Sequence, residues 1–157
     1  MARPDIKTFQ NLEAAFAGES MAHIKYRYFA KLARAAGDED TARIFEQTAD
    51  QEVMHAFGHL DLLYPAADIT PAKALQIAIE GETYEYSEMY PGFRRAAEEE
   101  GNAAAVAEID GQIAESREHA DRFRGVLAKA ARRFAALAKV EERHAEHYRR
   151  ALARVAA

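Results

Sequence analysis

Apolar residues recur along this chain at intervals of three and four, and no alternating stretch persists. The pattern predicts helices throughout. The first reads from Thr8 to Ala36 and is stopped by Gly37. The second reads from Thr41 to Leu63, with Asp40 as a candidate N-cap and Pro65 just past its end. Thr70-Pro71 has the form of a cap followed by proline at the first helical position. It opens a third helix that reads to Glu100, which Pro91-Gly92 should kink. Gly101-Asn102 is a stop followed by a new cap, and from Ala103 to the C-terminus there is no proline. Gly111 and Gly125 are the only weak points of that last stretch. Phe9, Phe16, Phe29, Phe45 and Phe134 read as core.

The chain also repeats itself loosely. AFAGES (15–20) resembles AIEGET (78–83), which sets Glu19 opposite Glu82. ARIFEQTADQEVMHA (42–56) resembles ARRFAALAKVEERHA (131–145), which sets Glu52 and His55 opposite Glu141 and His144. The first pair is offset by 63 residues and the second by 89, so the second half carries 26 extra residues within about 102–127. Two helical hairpins related in this way predict an all-α four-helix bundle.

The repeated positions are chemically odd. Glu52 and His55 lie one turn apart on a helix face otherwise built of Ala, Ile and Phe, and a buried unpaired carboxylate is expensive. Two helices each offer one Glu, Glu19 and Glu82. Two others each offer Glu-x-x-His, Glu52/His55 and Glu141/His144. That is the donor pattern of dinuclear carboxylate centres in ferritin-like bundles. Two divalent ions would offset the carboxylates, and one imidazole per metal favours iron or manganese over calcium. Glu85, one turn after Glu82, is a seventh candidate whose counterpart in the repeat is Ala22. Solvated faces of a plain bundle would explain the charges but not the repeat.

Composition narrows the classes. The 157 residues suit one domain, 1–157, with a real core, and 49% hydrophobic residues argue against disorder. The net charge of −5 argues against nucleic acid as main partner. With no cysteine, thiolate zinc, iron–sulfur clusters, disulfides and thiol nucleophiles are excluded, so any metal is held by His and carboxylate. The N-terminal MARPDIKTFQNLEAAF has no apolar core long enough for a signal peptide, and no run approaches the ~18 residues of a membrane span. The expectation is a soluble cytoplasmic protein.

With those residues in hand, the sequence resembles the ferritin-like domain of the rubrerythrin family. The likeness rests on FAGES, DQEVMHAFGHL, GETYEYSEMYPGF and EERH, over most of 8–100 and 130–150. It implies a di-iron site on Glu19, Glu52, His55, Glu82, Glu85, Glu141 and His144, with tyrosines Tyr26 and Tyr90 beside it. It implies a non-haem peroxidase that reduces hydrogen peroxide to water in oxidative-stress defence, with one iron shifting ligation with redox state. Manganese or a mixed pair suits similar ligands. Ferroxidase or iron-handling activity is the alternative, and a metal-free scaffold a third reading. Rubrerythrins typically carry a rubredoxin domain with four cysteines. This sequence has none, so electrons are expected from a separate donor, a rubredoxin-like protein or flavoprotein.

The 26-residue excess creates a rival ligand set. Glu82 lies about 28 Å of helix before the turn at Gly101, so an immediate antiparallel return would bring residues near 120 level with it. QIAESREHADRF (112–123) sits there, with Glu115, Glu118 and His119, but with Ser116 at the Glu position. If Glu141 and His144 are the ligands instead, a homodimer with exchanged helices, the long C-terminal helix completing the partner's site, becomes the expectation. His23 and His59 are read as core-edge or surface residues that could support the site, and His147 as exposed. The arginines at 143, 149, 150 and 154 read as a solvated face that could dock an acidic electron donor.

Overall fold

The computed structural model describes residues 7–155. The first six residues, part of the stretch read for a leader, lie outside the described residues. Every regular element among the described residues is helical: α1 (Lys7–Ala35), α2 (Glu39–Leu63), α3 (Pro71–Tyr84), a π-helical segment (Glu85–Met89), α4 (Tyr90–Glu99) and α5 (Ala103–Val155). The all-α expectation is borne out. No described helix is long and apolar enough to cross a membrane. The chain divides into two compact units, one ending at Thr70 and one starting at Pro71.

In the first unit α1 and α2 form a hairpin. Gly37 closes it at φ +82°, a left-handed conformation that suits glycine. The Asp38 amide bonds to the Ala33 carbonyl and the Gly37 amide to Arg34, the paired bonds of a Schellman turn. Asp38 then caps α2, accepting from the Thr41 amide at 3.0 Å. The cap is therefore Asp38 rather than Asp40, because the turn delivers Asp38 directly to the start of the next helix. Arg34 ties the corner by donating to Glu39 and Glu46.

The hairpin packs through small residues. α2 buries Ala42, Ala49, Ala56 and Leu63, spaced seven apart, and α1 buries Ala30. Alanine at these positions lets the two backbones approach closely. His23 Nδ1 reaches across to donate to the Ala49 carbonyl at 2.9 Å. Tyr26 and Phe29 of α1 pack on Phe45 of α2, with ring centroids 5.8 and 5.6 Å apart.

In the second unit Pro71 begins α3 as expected. The irregularity expected at Pro91-Gly92 lies earlier. The Tyr90 amide bonds back to the Glu85 carbonyl, five residues away, so the turn over 85–89 is widened. Pro91 has no amide to donate and its ring crowds the carbonyl four residues before it, and the wide turn absorbs both defects. Gly101, at φ +72°, ends α4. Asn102 caps α5 through the Ala105 amide at 3.1 Å. α5 runs 53 residues, about 80 Å, straight through Gly111 and Gly125. Its first half packs on α3, the π segment and α4, burying Ser116, Ala120 and Ala97. The extra residues inferred from the repeat are thus helix, not a loop.

The alanine seam gives a direct test. Leucine at position 49 would meet the α1 backbone and force the hairpin open. Ala49→Leu is expected to cost about 1–3 kcal/mol, read as a lower thermal midpoint. An unchanged midpoint would show that the helices are not held this close.

Candidate metal centre

The hairpin brings three predicted ligands together. Glu19 comes from the middle of α1, and Glu52 and His55 from adjacent turns of α2. One ligand atom from each lies within 4.8 Å of the others. His55 Nδ1 donates to Glu52 Oε2 at 2.9 Å. The Glu52 side chain is 15% exposed and that of His55 60%, so the cluster is walled by the hairpin and open on the His55 side. Two carboxylates at this range repel by on the order of 3 kcal/mol at an effective dielectric near 20, and a single imidazole N–H offsets only part of that. The donor set, two carboxylates and one imidazole, fits iron or manganese.

The second unit assembles the next pair. Glu82 lies in the last turn of α3 and Glu85 opens the π segment. Both face α5. Ser116, only 4% exposed, donates its hydroxyl to Glu85 Oε2 at 2.9 Å. His119 Nδ1 stands 3.4 Å from Glu82 Oε1. Tyr90 lies close by; burial, then the nearby carboxylates Glu85, Glu82 and Glu108, push its phenol above the ordinary tyrosine range. It therefore holds its proton and can donate. Tyr26 belongs to the first unit, half-buried against Phe45.

Glu141 and His144 are not brought to Glu82 or Glu85. They lie about 33 and 38 Å further along α5 than His119, with Nδ1 and Oε2 3.7 Å apart and both side chains largely exposed. Glu115 and Glu118 are also exposed, so of the rival set only His119 meets a carboxylate of α3. His59 is half-buried, and His147 is exposed beside Tyr148. Of the tail arginines, Arg149 and Arg150 both pair with Glu146 on the surface.

Sequence reading overlooked a second cluster next to Glu85. Arg124 of α5 donates to the Thr83 hydroxyl at 2.8 Å, and Arg117 stacks over the Tyr86 ring at 5.3 Å. Hydrogen bonding from Arg124 and Thr83 holds the Tyr86 phenol below the ordinary tyrosine range. The signal was present: Arg117 and Arg124 are seven residues apart, hence on one face of α5.

Residues 10–127 match the Rubrerythrin family. Nigerythrin from Nitratidesulfovibrio vulgaris is 40% identical over 129 residues, covering 74% of this chain and 63% of its own length. Rubrerythrin from Porphyromonas gingivalis is 38% identical over 134 residues, covering 78% and 66%. The chain thus spans about two thirds of the length of these curated relatives. A solved nigerythrin structure in the fully reduced, all-ferrous state aligns with 83% of this chain and 70% of its own, at 35% identity and a TM-score of 0.41.

Two outcomes test this geometry. Ser116→Ala leaves a Glu85 oxygen without its buried donor and is expected to cost about 1 kcal/mol in denaturant unfolding. An unchanged midpoint would deny that contact. In a pH titration followed by tyrosine absorbance or NMR, Tyr86 should ionise before Tyr90, and Arg124→Gln should move Tyr86 back up. Tyr90 ionising before Tyr86 would contradict the placement of both rings.

Proposed function

The chain belongs to the rubrerythrin family, and on that premise we propose that it is a non-haem di-iron peroxidase reducing hydrogen peroxide to water. The observation that carries the reading is the meeting of Glu19, Glu52 and His55 within 4.8 Å on one hairpin. Family membership makes it a ferritin-like di-iron protein. Peroxide as substrate and the remaining ligands, Glu82, Glu85, Glu141 and His144, are the further content of the proposal.

The overall reaction takes H2O2, two electrons and two protons to two waters. Bound iron would supply the two electrons that break the O–O bond. The chain's own residues do the rest. Glu19 and Glu52 would supply the negative charge that holds the ions, and His55 an imidazole nitrogen that suits iron. Glu85 is steadied from α5 by Ser116. Tyr90, whose phenol is pushed above the ordinary tyrosine range beside Glu85 and Glu82, is the proton-holding group of this side of the site, and Tyr26 on α1 is the second tyrosine of the proposal. The electron donor in this reading is a separate redox protein, which the arginines at the end of α5 would dock by an acidic face.

Anaerobic reconstitution with ferrous iron, followed by peroxide, tests the reading. Two irons per chain should bind and oxidise with peroxide in preference to oxygen, yielding water, and a reductant should sustain turnover. Glu52→Ala and His55→Gln should each drop bound iron to one per chain or fewer and abolish turnover. A Glu52→Ala protein that kept two irons and full turnover would sink the assignment.

A further inference from the structure

The α1–α2 hairpin has a second face that the metal cluster does not use. Glu52 and Val53 are consecutive, and consecutive residues of a helix diverge by about 100°, so they fall on either side of the Ala49–Ala56 seam. Glu19 and Ser20 diverge in the same way on α1. The cluster opens on the Glu52 side. On the Val53 side the two helices frame a groove of about 280 Å³. Its walls are apolar: Phe16 and Ile24 of α1, and Val53, Phe57 and Leu60 of α2. One aromatic ring comes from each helix. Ile24 and Phe57 are 63 and 57% exposed, so the mouth of the groove is open.

Two polar side chains line the same groove, Ser20 and His23, and both are already committed as donors. The Ser20 hydroxyl donates to the Phe16 carbonyl at 2.8 Å. His23 Nδ1 lies 2.9 Å from the Ala49 carbonyl. A carbonyl can only accept, so Nδ1 carries the imidazole proton and Nε2 of the neutral ring is bare. The groove is left with two acceptors, Ser20 Oγ and His23 Nε2, and no side-chain donor. A molecule that fits must therefore bring the hydrogen itself. Carboxylates, ketones and ethers, which only accept, are disfavoured, and a hydroxyl is favoured. Size narrows the choice further. A cavity of about 150 Å³ holds one benzene ring, so this groove takes a single substituted ring without a long tail. A phenol meets each requirement.

We propose that this groove binds a water-soluble, single-ring hydroquinone, its ring between Phe16 and Phe57 and one hydroxyl donating to His23 Nε2, as a second, small-molecule source of electrons for peroxide reduction. The binding rests on the groove alone, and only the supply of electrons rests on the function proposed above. Atoms and electrons balance without a further reactant. Hydroquinone becomes benzoquinone by losing two electrons and two protons as both O–H bonds break. Hydrogen peroxide becomes two waters by gaining two electrons and two protons. His23 Nε2 accepts the first proton, and the second hydroxyl, at the open mouth, releases its proton to water. The product carries only carbonyl oxygens, which two acceptors do not hold, so it leaves and a fresh hydroquinone enters. The path is short. His23 lies one turn, about 6 Å, from Glu19 along α1, and the groove stands one helix thickness, on the order of 10 Å, from the cluster.

Anaerobic calorimetry on the metal-free full chain tests the binding. Hydroquinone should bind, and its dimethyl ether, the same ring without a donor, should bind about tenfold more weakly, the worth of one hydrogen bond. His23→Leu should bind the two rings alike. Ile24→Trp fills the groove from an exposed position, so the hairpin should stay folded while binding of both rings is lost. Equal affinity of the wild type for the two rings, or unchanged hydroquinone binding in Ile24→Trp, overturns the site. Iron-loaded protein separates binding from electron supply. With hydroquinone as sole reductant the wild type should form one benzoquinone per peroxide consumed, faster than the metal-free protein. Ile24→Trp should form none, although peroxide still oxidises its ferrous iron once. Hydroquinone that binds but yields no quinone, in a wild type whose ferrous iron peroxide does oxidise, overturns the electron supply. Ferrous iron left unoxidised by peroxide in both proteins overturns the peroxidase reading and the electron supply with it, while the binding result stands.

Discussion

Like charges held at short range are the constraint from which this molecule is organised. Glu19, Glu52 and His55 converge to within 4.8 Å in a hairpin whose buried seam is built of alanines. Such a group is unfavourable alone, because carboxylates taken partly out of water lose hydration and repel each other. A chain that kept it only for stability would be better served by apolar residues. The arrangement becomes favourable once a cation of higher charge sits among the oxygens, which is why geometry and family membership lead to the same chemistry.

The alanine seam of α2 makes this convergence possible. Larger residues at 42, 49 and 56 would hold α1 off, and Glu19 would no longer reach Glu52. His23 shows how close the two backbones run, since its imidazole bonds directly to the Ala49 carbonyl. Packing and site are therefore one design in the first unit. In the second unit the same job is divided. Ser116 and His119 of α5 hold the carboxylates of Glu85 and Glu82, while Tyr90 beside them is kept neutral by burial and by the negative charge around it.

Much of this was readable from the residues. Proline at 71 and asparagine at 102 start helices where local chemistry requires. The spacing of Glu52 and His55, together with the repeat that named Glu19, picks out the three residues that the hairpin brings within 4.8 Å. Other features depend on competition between neighbours. Asp38 and Asp40 can both cap, and the Gly37 turn decides between them. Pro91 signals a defect, but the backbone relieves it a turn earlier. Periodicity gives the face of α5 and not how far α3 extends along it, so the choice between His119 and His144 as the histidine opposite Glu82 was open in the sequence. Register settles that contact within the unit.

The π segment at 85–89 sets the phase of the helix that follows it. A five-residue bond in an otherwise four-residue ladder places one surplus residue in that turn. Removing one residue there would restore regular pitch and swing everything downstream by roughly 100°. The Arg94 bridge to Asp110 would then point away from its partner. The surplus residue therefore acts as a phase adjuster: it lets Glu85 look at α5 in one turn while Arg94, a few residues later, still grips the same helix.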